Sequence, residues 1–394
     1  MMSAVLSNPS HPKYGVATIP FPIPRDQYAH CMELLEALEI GDAVKADCKV
    51  EKIDSFYTVL KRTEMLTVNV EELNYLAKRL DSFDTGEAAQ FQAMAHKLEL
   101  FELKDLINLT FCCQQATVIT DFSDLAAIGR DHYMNLHGGS AKTEELDALD
   151  GEETARRLIE SGGGTITPYG VVYDNGMKLE QVYDGRFFPC YYYEPNAITV
   201  AVTSKSELED TEHITWLYLP MEREEVDRAL LRGGITDPAD VRLRLEDSQL
   251  PNEVDVLLDM KYENLSDLNE LAAATDGLSK ADMEKLGAVV ILAKPKSAAQ
   301  IKNLAESLDL FDFAPGAHTS QEYGKYMIRQ SGHFEYDENL DAFYDYEKYG
   351  TERMNEEDGM FTDRGYIAYK GYTSMEEVMN GSQSNHMAMG GLSR

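Results

Sequence analysis

The feature that most constrains this chain of 394 residues is an internal repeat. Val70-Glu-Glu-Leu-Asn-Tyr-Leu-Ala77 reads against Leu265-Ser-Asp-Leu-Asn-Glu-Leu-Ala272, a shift of 195 residues. The same shift sets Asn108-Leu109 against Asn303-Leu304 and Gly129-Arg130 against Gly324-Lys325. It also sets Thr167-Pro-Tyr-Gly170 against Thr362-Asp-Arg-Gly365. Separate segments that hold one register over about 100 residues are hard to produce by chance, and they argue for two diverged copies in tandem rather than one large domain. Two copies are too few for a solenoid. Length agrees, since roughly 150 residues per domain predicts two or three domains here.

The local patterns give each copy an α+β character. In the first copy Val16 to Ile23 reads as extended, and Arg25 to Leu38 as a helix with apolar residues at helical spacing. Cys48 to Ile53 alternates as a strand, and three short helices follow over Val70–Leu80, Glu87–Leu98 and Leu103–Leu109. Ala116 to Thr120 is β-rich, Leu125–Leu136 and Glu152–Ser161 are helical, and Gly162-Gly163-Gly164 stops the second of these. A hairpin turns at Pro168-Tyr169-Gly170. The second copy repeats the order: strands at Thr215–Leu219 and Val241–Leu245, helices near Glu222–Leu231, Leu265–Thr275, Lys280–Leu292, Ser297–Leu308, Ser320–Gln330 and Leu340–Met354, and a hairpin at Met360–Tyr369. The expected organisation is a flexible N-terminus over 1–12 and a first copy over 13–175, divided into α/β (13–62), helical (68–113) and α/β (114–175) parts. A connector over 176–212 with a strand at Ala197–Thr203 follows, then a second copy over 213–371, divided at 213–261, 262–308 and 309–371, and a flexible tail over 372–394.

Charge decides which partners such a chain can have. It carries 69 Asp and Glu against 36 Lys and Arg, a formal net of −33. Residues 1–200 hold 31 acids and 17 bases, and residues 201–394 hold 38 and 19, so the excess runs through both copies. Phosphate backbones and anionic membranes are repelled by a surface like this. B-DNA carries one charge per ~1.7 Å, so this net charge corresponds to about 56 Å of duplex, enough for a protein that presents DNA-like charge to a DNA-binding cleft. With 22 Tyr and 14 Phe the chain can fill cores, which argues against general disorder. The cysteines, Cys31, Cys48, Cys112, Cys113 and Cys190, are odd in number and form no CxxC, which fits a reducing, cytoplasmic setting. Met1 to Lys13 lacks the basic-then-apolar pattern of a signal peptide, and the longest apolar run, Gly287 to Ala293, is too short to span a membrane.

The search for chemistry finds no credible active, metal or cofactor site. There is no HExxH and no GxSxG, and His132 and His137 fall on different helical faces. Cys112-Cys113 with His132 could suggest a Cys–His dyad, but no orienting residue is fixed by spacing and free Cys is usually core filler. Gly162-Gly163-Gly164 ends a helix where a phosphate loop must begin one. In Asn355-Glu-Glu-Asp-Gly359 the calcium-loop spacing fails. The helix over 341–352 sets Asp341, Asp345, Glu347 and Glu352 among Phe343, Tyr344, Tyr346 and Tyr349, the pattern of aromatics packed inward and carboxylates outward.

The run Gly332-His-Phe-Glu-Tyr-Asp-Glu-Asn-Leu340-Asp-Ala-Phe-Tyr344-Asp345-Tyr346-Glu-Lys-Tyr349-Gly350-Thr-Glu352, followed by Phe361-Thr-Asp-Arg-Gly365-Tyr-Ile367, resembles the C-terminal part of the ArdA antirestriction proteins. Asp267-Leu268-Asn269-Glu270-Leu271 and Glu322-Tyr-Gly-Lys-Tyr326 are similar to that family too, and the likeness reaches the first copy through Glu72-Leu73-Asn74, Ile128-Gly129-Arg130 and Thr167 to Tyr173. The resemblance implies an acidic, elongated protein of three subdomains per copy that is no enzyme. It would imitate bent B-DNA and block type I restriction–modification enzymes by occupying the DNA groove of their specificity and modification subunits. It also implies carriage on mobile elements, and either a homodimer or a dimer-like pair within one chain. The acidic surface expected to meet the partner comprises Asp337, Glu338, Asp341, Asp345, Glu347, Glu352, Glu356 and Glu357. Departures are the second copy itself, Thr351-Glu352 where the family has Arg-Asp, and a first copy without the aromatic-Asp-Tyr run, in a region that Arg130, Arg156 and Arg157 make less acidic. The competing readings are an acidic inhibitor or adaptor acting on another nucleic-acid-binding defence protein, such as an RNA-guided nuclease, and, more remotely, a small-molecule hydrolase.

Overall fold

A computed structural model describes residues 2–206, 213–332 and 335–381. The described residues form mixed α/β structure with four small antiparallel sheets, and contacts divide the chain into two compact units. One is built from Met1–Glu194 and also takes in Glu222–Asp240; the other is built from Pro195–Ser206, Leu217–Met221 and the chain from Val241 onward.

The first unit opens on β1 (Met2–Ser7), which lies between β2 (Val16–Phe21) and β3 (Cys48–Asp54), with β4 (Thr67–Val68) at the far edge of β3. Residues 1–12, expected to be flexible, therefore supply a central strand. Met2, Ala4 and Leu6 alternate inward and are buried, as do Ala17, Ile19 and Phe21 on β2. The period was present in Met-Ser-Ala-Val-Leu-Ser, but small residues carry a weak strand signal. Helix α1 (Tyr28–Glu36) packs against β2 and buries Tyr28, Cys31, Met32 and Leu35.

The helical part follows as α2 (Val70–Asp81), α3 (Thr85–Lys97) and α4 (Leu103–Leu109). Asn69 caps α2, its side chain accepting from the Glu71 and Glu72 amides. Val70, Leu73, Leu76, Ala77 and Leu80 form the buried stripe, each leucine contributing about 1.5–3 kcal/mol through removal from water. Asp84 and Glu87 close a capping box on α3. A second sheet has the order β5 (Thr117–Ile119), β7 (Gly170–Tyr173), β6 (Thr165–Thr167), and α5 (Leu125–Leu136), α6 (Thr143–Ala148) and α7 (Gly151–Glu160) lie between β5 and β6 in the chain. Ile119, Ile128, Ala155, Leu158 and Tyr173 make its core.

In the second unit β8 (Ile198–Ser204) is the middle strand of a sheet with β9 (Thr215–Leu219) and β10 (Val241–Ser248). The strand expected inside the connector is thus an integral sheet strand, placed as β1 is placed in the first unit. Between β9 and β10 runs α8 (Arg223–Arg232), which belongs to the first unit. Helices α9 (Asn252–Leu257), α10 (Leu265–Thr275), α11 (Lys280–Ala293) and α12 (Ala298–Ala305) follow. The last sheet is β11 (Phe311–Pro315), β13 (Gly365–Tyr369), β12 (Asp358–Thr362), with α13 (Ser320–Arg329) and α14 (Tyr346–Glu356) packed on each other beside it. The helix expected over Leu340–Met354 is broken: Glu338–Phe343 is a short 3₁₀ turn, and Asp345 caps α14 by accepting from the Lys348 amide. The tail expected over 372–394 carries α15 (Met375–Met379), with Val378 buried and the Met379 carbonyl accepting from Asn303 Nδ2 at 2.7 Å. Residues 382–394 lie outside the described residues, as do 207–212 of the expected connector and His333 and Phe334 of the family-like run.

Several details recur at the repeat shift, with partners that fall within three residues of it. Asn74 on α2 accepts from the Ile23 amide at 2.8 Å, and Asn269 on α10 accepts from the Met221 amide at 2.8 Å. Thr167 Oγ1 donates to the Gly170 carbonyl and Thr362 Oγ1 to the Gly365 carbonyl, both at 2.8 Å. Asn108 clamps Tyr183 through both main-chain groups, and Asn303 holds Met379.

Candidate interaction surface

The C-terminal part of the second unit, residues 309–371, holds 14 acids and 6 bases. How its carboxylates are held separates structural groups from those turned to solvent. Asp341 is structural. Its Oδ1 accepts from Tyr336 OH at 2.8 Å and also from Tyr346 OH and an Arg329 Nη. These bonds, that from Tyr346 foremost and then that from Arg329, hold its carboxyl down at about 2. Arg329 reaches Tyr346 OH as well, at 3.0 Å, and its guanidinium stacks near the Tyr336 and Tyr346 rings. Asp341 therefore ties the 3₁₀ turn to α13 and α14. Glu357 is also structural: it accepts from Tyr323 OH at 2.6 Å and pairs with Arg353. Burial first, and then this bond, pushes the Tyr323 phenol well up.

The other six residues of the expected surface, Asp337, Glu338, Asp345, Glu347, Glu352 and Glu356, are exposed. Asp337 caps the 3₁₀ turn and Asp345 caps α14, so both have fixed positions. Glu352 and Glu356 lie four apart on α14, with only loose partners at 4.0 Å, Lys348 and Arg353. Sequence reasoning missed Glu322, Glu335, Asp358 and Asp363, which are exposed on the same part of the chain. They are scattered over the first turn of α13, a loop, the start of β12 and its hairpin turn, so no single periodicity marks them.

Phe343 and Leu340 lie exposed among these acids, against the expectation that the aromatics pack inward. The turn that breaks the helix leaves them there. Tyr349 packs against the core of Ala314, Ala317, Tyr323, Met327, Tyr366 and Ala368, as expected.

The scaffold under these groups rests on a helix crossing. A Cβ on Gly324 would fall 2.0 Å from the Tyr346 carbonyl oxygen, and one on Gly350 would fall 1.9 Å from that of Ser320. The backbones of α13 and α14 therefore touch, which fixes the caps of α14 and the residues they orient. The first unit has the same crossing, Gly129 against Gly151 on α5 and α7, where a Cβ on Gly129 would fall 1.9 Å from the Gly151 carbonyl oxygen. Its residues 114–175 hold 11 acids and 4 bases. Asp121, Asp124, Glu144, Glu145, Asp147, Asp150, Glu152 and Glu153 are all exposed there. Arg156 and Arg157 are paired along α7 with Glu152 and Glu153.

The groups considered for catalysis have other contacts. His132 Nδ1 bonds Thr117 Oγ1 at 2.9 Å, and burial lowers its pKa. Cys112 and Cys113 are buried, and burial raises both thiols. Among the described residues no cluster of His, Cys, Asp and Glu is arranged to hold a metal ion, and no helix is long and apolar enough to cross a membrane.

No curated protein matches the chain. A family model does match, over the stretch that carries the α13–α14 crossing and the exposed carboxylates around it. Residues 211–368, the C-terminal part of this chain, match the model of the antirestriction protein family ArdA.

Proposed function

We propose that the protein is an antirestriction inhibitor that presents DNA-like charge to a type I restriction–modification enzyme and occupies the DNA groove of its specificity and modification subunits. The family match over residues 211–368 supports antirestriction as the function of the C-terminal part. The observation that carries the finer reading is the six exposed carboxylates held on caps and on α14 over a rigid helix crossing. The two capping carboxylates, Asp337 and Asp345, are held in place, which suits a groove that reads phosphates because less ordering cost falls on binding. No chemistry is required of the protein itself.

We also infer that the chain is a tandem of two diverged copies, so that one polypeptide supplies two such acidic surfaces. The recurring asparagine clamps, glycine crossings and Thr-x-x-Gly hairpins support this, as does the acid excess in both C-terminal parts. The family match begins at residue 211, which leaves the first copy the more diverged and open to a different defence enzyme as its partner.

The test is a titration of the purified protein into a type I restriction reaction on unmodified DNA, with cleavage as the readout. Inhibition near one-to-one supports the reading, and it should weaken with salt because exposed charges are screened within about 8 Å at physiological ionic strength. Full cleavage in the presence of excess folded protein rejects it.

A further inference from the structure

Arg232, the last residue of α8, has a fully satisfied guanidinium. Its side chain is 6% exposed. Nε donates to the Arg186 carbonyl at 2.9 Å, one Nη to the Ala43 carbonyl at 2.8 Å and Asn69 Oδ1 at 3.0 Å, and the other Nη to Tyr183 OH and to the Gly185 carbonyl at 3.3 Å. All five donors of an arginine are thereby used. The Phe188 ring lies under the guanidinium carbon at 4.4 Å, and the Glu72 carboxylate stands 3.6 Å from an Nη.

Other contacts hold these acceptors in place. Asn69 is fixed as the cap of α2 and donates to the Asp42 and Lys45 carbonyls. Asn108 grips Tyr183 by both main-chain groups, and Tyr183 OH donates to Glu72 at 2.7 Å, leaving its oxygen free to accept. Phe188 also stacks with Tyr183 and with Tyr75. Every one of these groups comes from the first copy or from the segment that follows it, whereas the arginine arrives on a helix that the repeat assigns to the second copy.

The repeat shows that both halves of this contact are specific to the junction. Counting from the ends of the corresponding strands, Phe21 and Leu219, Arg232 aligns with Leu34, which brings no charge. On the receiving side, the 195-residue shift sets Glu72 against Asp267, and Tyr183 against Val378, which has no hydroxyl.

We propose that the first unit carries a built guanidinium-binding site, formed by Ala43, Asn69, Tyr183, Gly185, Arg186 and Phe188, whose ligand is the Arg232 side chain of the second copy. The site is what fixes α8 to the first unit although the strands on either side of α8, at Leu217–Leu219 and from Val241, belong to the second. The ligand class is a planar cation with a fork of N–H donors; an ammonium of the same charge cannot reach five acceptors.

Chemical rescue of the full-length chain tests this without reference to the inhibitory function. Arg232→Ala empties the site, and its melting temperature should fall by about 5 °C or more. Millimolar methylguanidinium should restore most of that fall, methylammonium should not, and neither should shift the unaltered chain. An Arg232→Ala protein as stable as the unaltered chain would overturn the proposal, as would a destabilised one that methylguanidinium does not rescue. Should Arg232→Ala fail to fold, Arg232→Lys carries the test: a lowered melting temperature supports the site, and an unchanged one overturns it.

Discussion

Gly324 and Gly350 meet backbone to backbone where α13 crosses α14, and neither position has room for a methyl group. The same relationship joins Gly129 to Gly151 in the first unit. Gly350→Ala should therefore push the two helices apart at a cost of about 1–3 kcal/mol, the range for overpacking a well-filled contact. Denaturant unfolding of the single variant measures it. A stability equal to that of the unaltered chain would mean the helices do not cross at these residues.

The asparagines of the repeated Leu-Asn pairs carry a second prediction. Asn269 accepts from the Met221 amide and donates to the Met221 carbonyl, both at 2.8 Å. Asn269→Ala strands both main-chain groups and should cost about 1–3 kcal/mol per group left unpaired. Asn269→Asp keeps the acceptor and should cost less. Equal losses in the two variants would show that the acceptor is not what matters.

The Asp341 carboxyl gives a pH signature. Its hydrogen bonds hold the folded-state pKa at about 2, below the ordinary value of 3.8. The folded state then binds this proton less readily than the unfolded state, so the contribution is present above the ordinary value and is lost as pH falls toward 2. In thermal melts, the gap between the unaltered chain and Asp341→Asn should be widest above about pH 4 and should narrow toward pH 2. A gap independent of pH would mean the carboxylate is not held by Arg329, Tyr336 and Tyr346.

Exposed and tied acids should separate cleanly. Replacing Asp337, Glu338, Asp345, Glu347, Glu352 and Glu356 by their amides removes charge from the surface while keeping side-chain shape. At about 0.2–1 kcal/mol for each exposed charge, inhibition should weaken at least about tenfold, with stability unchanged or slightly raised because repulsion falls. Asp341→Asn or Glu357→Gln should instead lower stability. Calorimetry beside the inhibition assay distinguishes the two classes, and a six-fold amide variant of full potency would remove this surface from the account.

Much of this was legible from residues alone. The α2 helix was readable because Asn69 caps it and its leucines keep helical spacing; Leu125–Leu136 and the Thr-x-x-Gly hairpins were equally plain. The strand β1 escaped because Met2, Ala4 and Leu6 mark a face only once β2 and β3 flank them. The helix through Leu340–Met354 was overextended because Asp345 reads as one more surface acid, whereas its side chain caps a new helix. Of the eight acids chosen for the partner surface, Asp341 owes its structural role to Arg329, Tyr336 and Tyr346 and Glu357 owes its own to Tyr323 on α13, and helical spacing shows only the Arg353–Glu357 pair. The Arg232 site was beyond sequence reach for the same reason, since its acceptors lie from 46 residues away along the chain, at Arg186, to 189 residues away, at Ala43, and only the fold brings them together.

The most direct measurement is ATP-dependent cleavage of unmodified DNA by a type I restriction enzyme, titrated with the purified protein. The account predicts loss of cleavage near one inhibitor per enzyme, relieved as salt rises and weakened in the six-fold amide variant. Cleavage that continues unchanged with excess folded protein would contradict it.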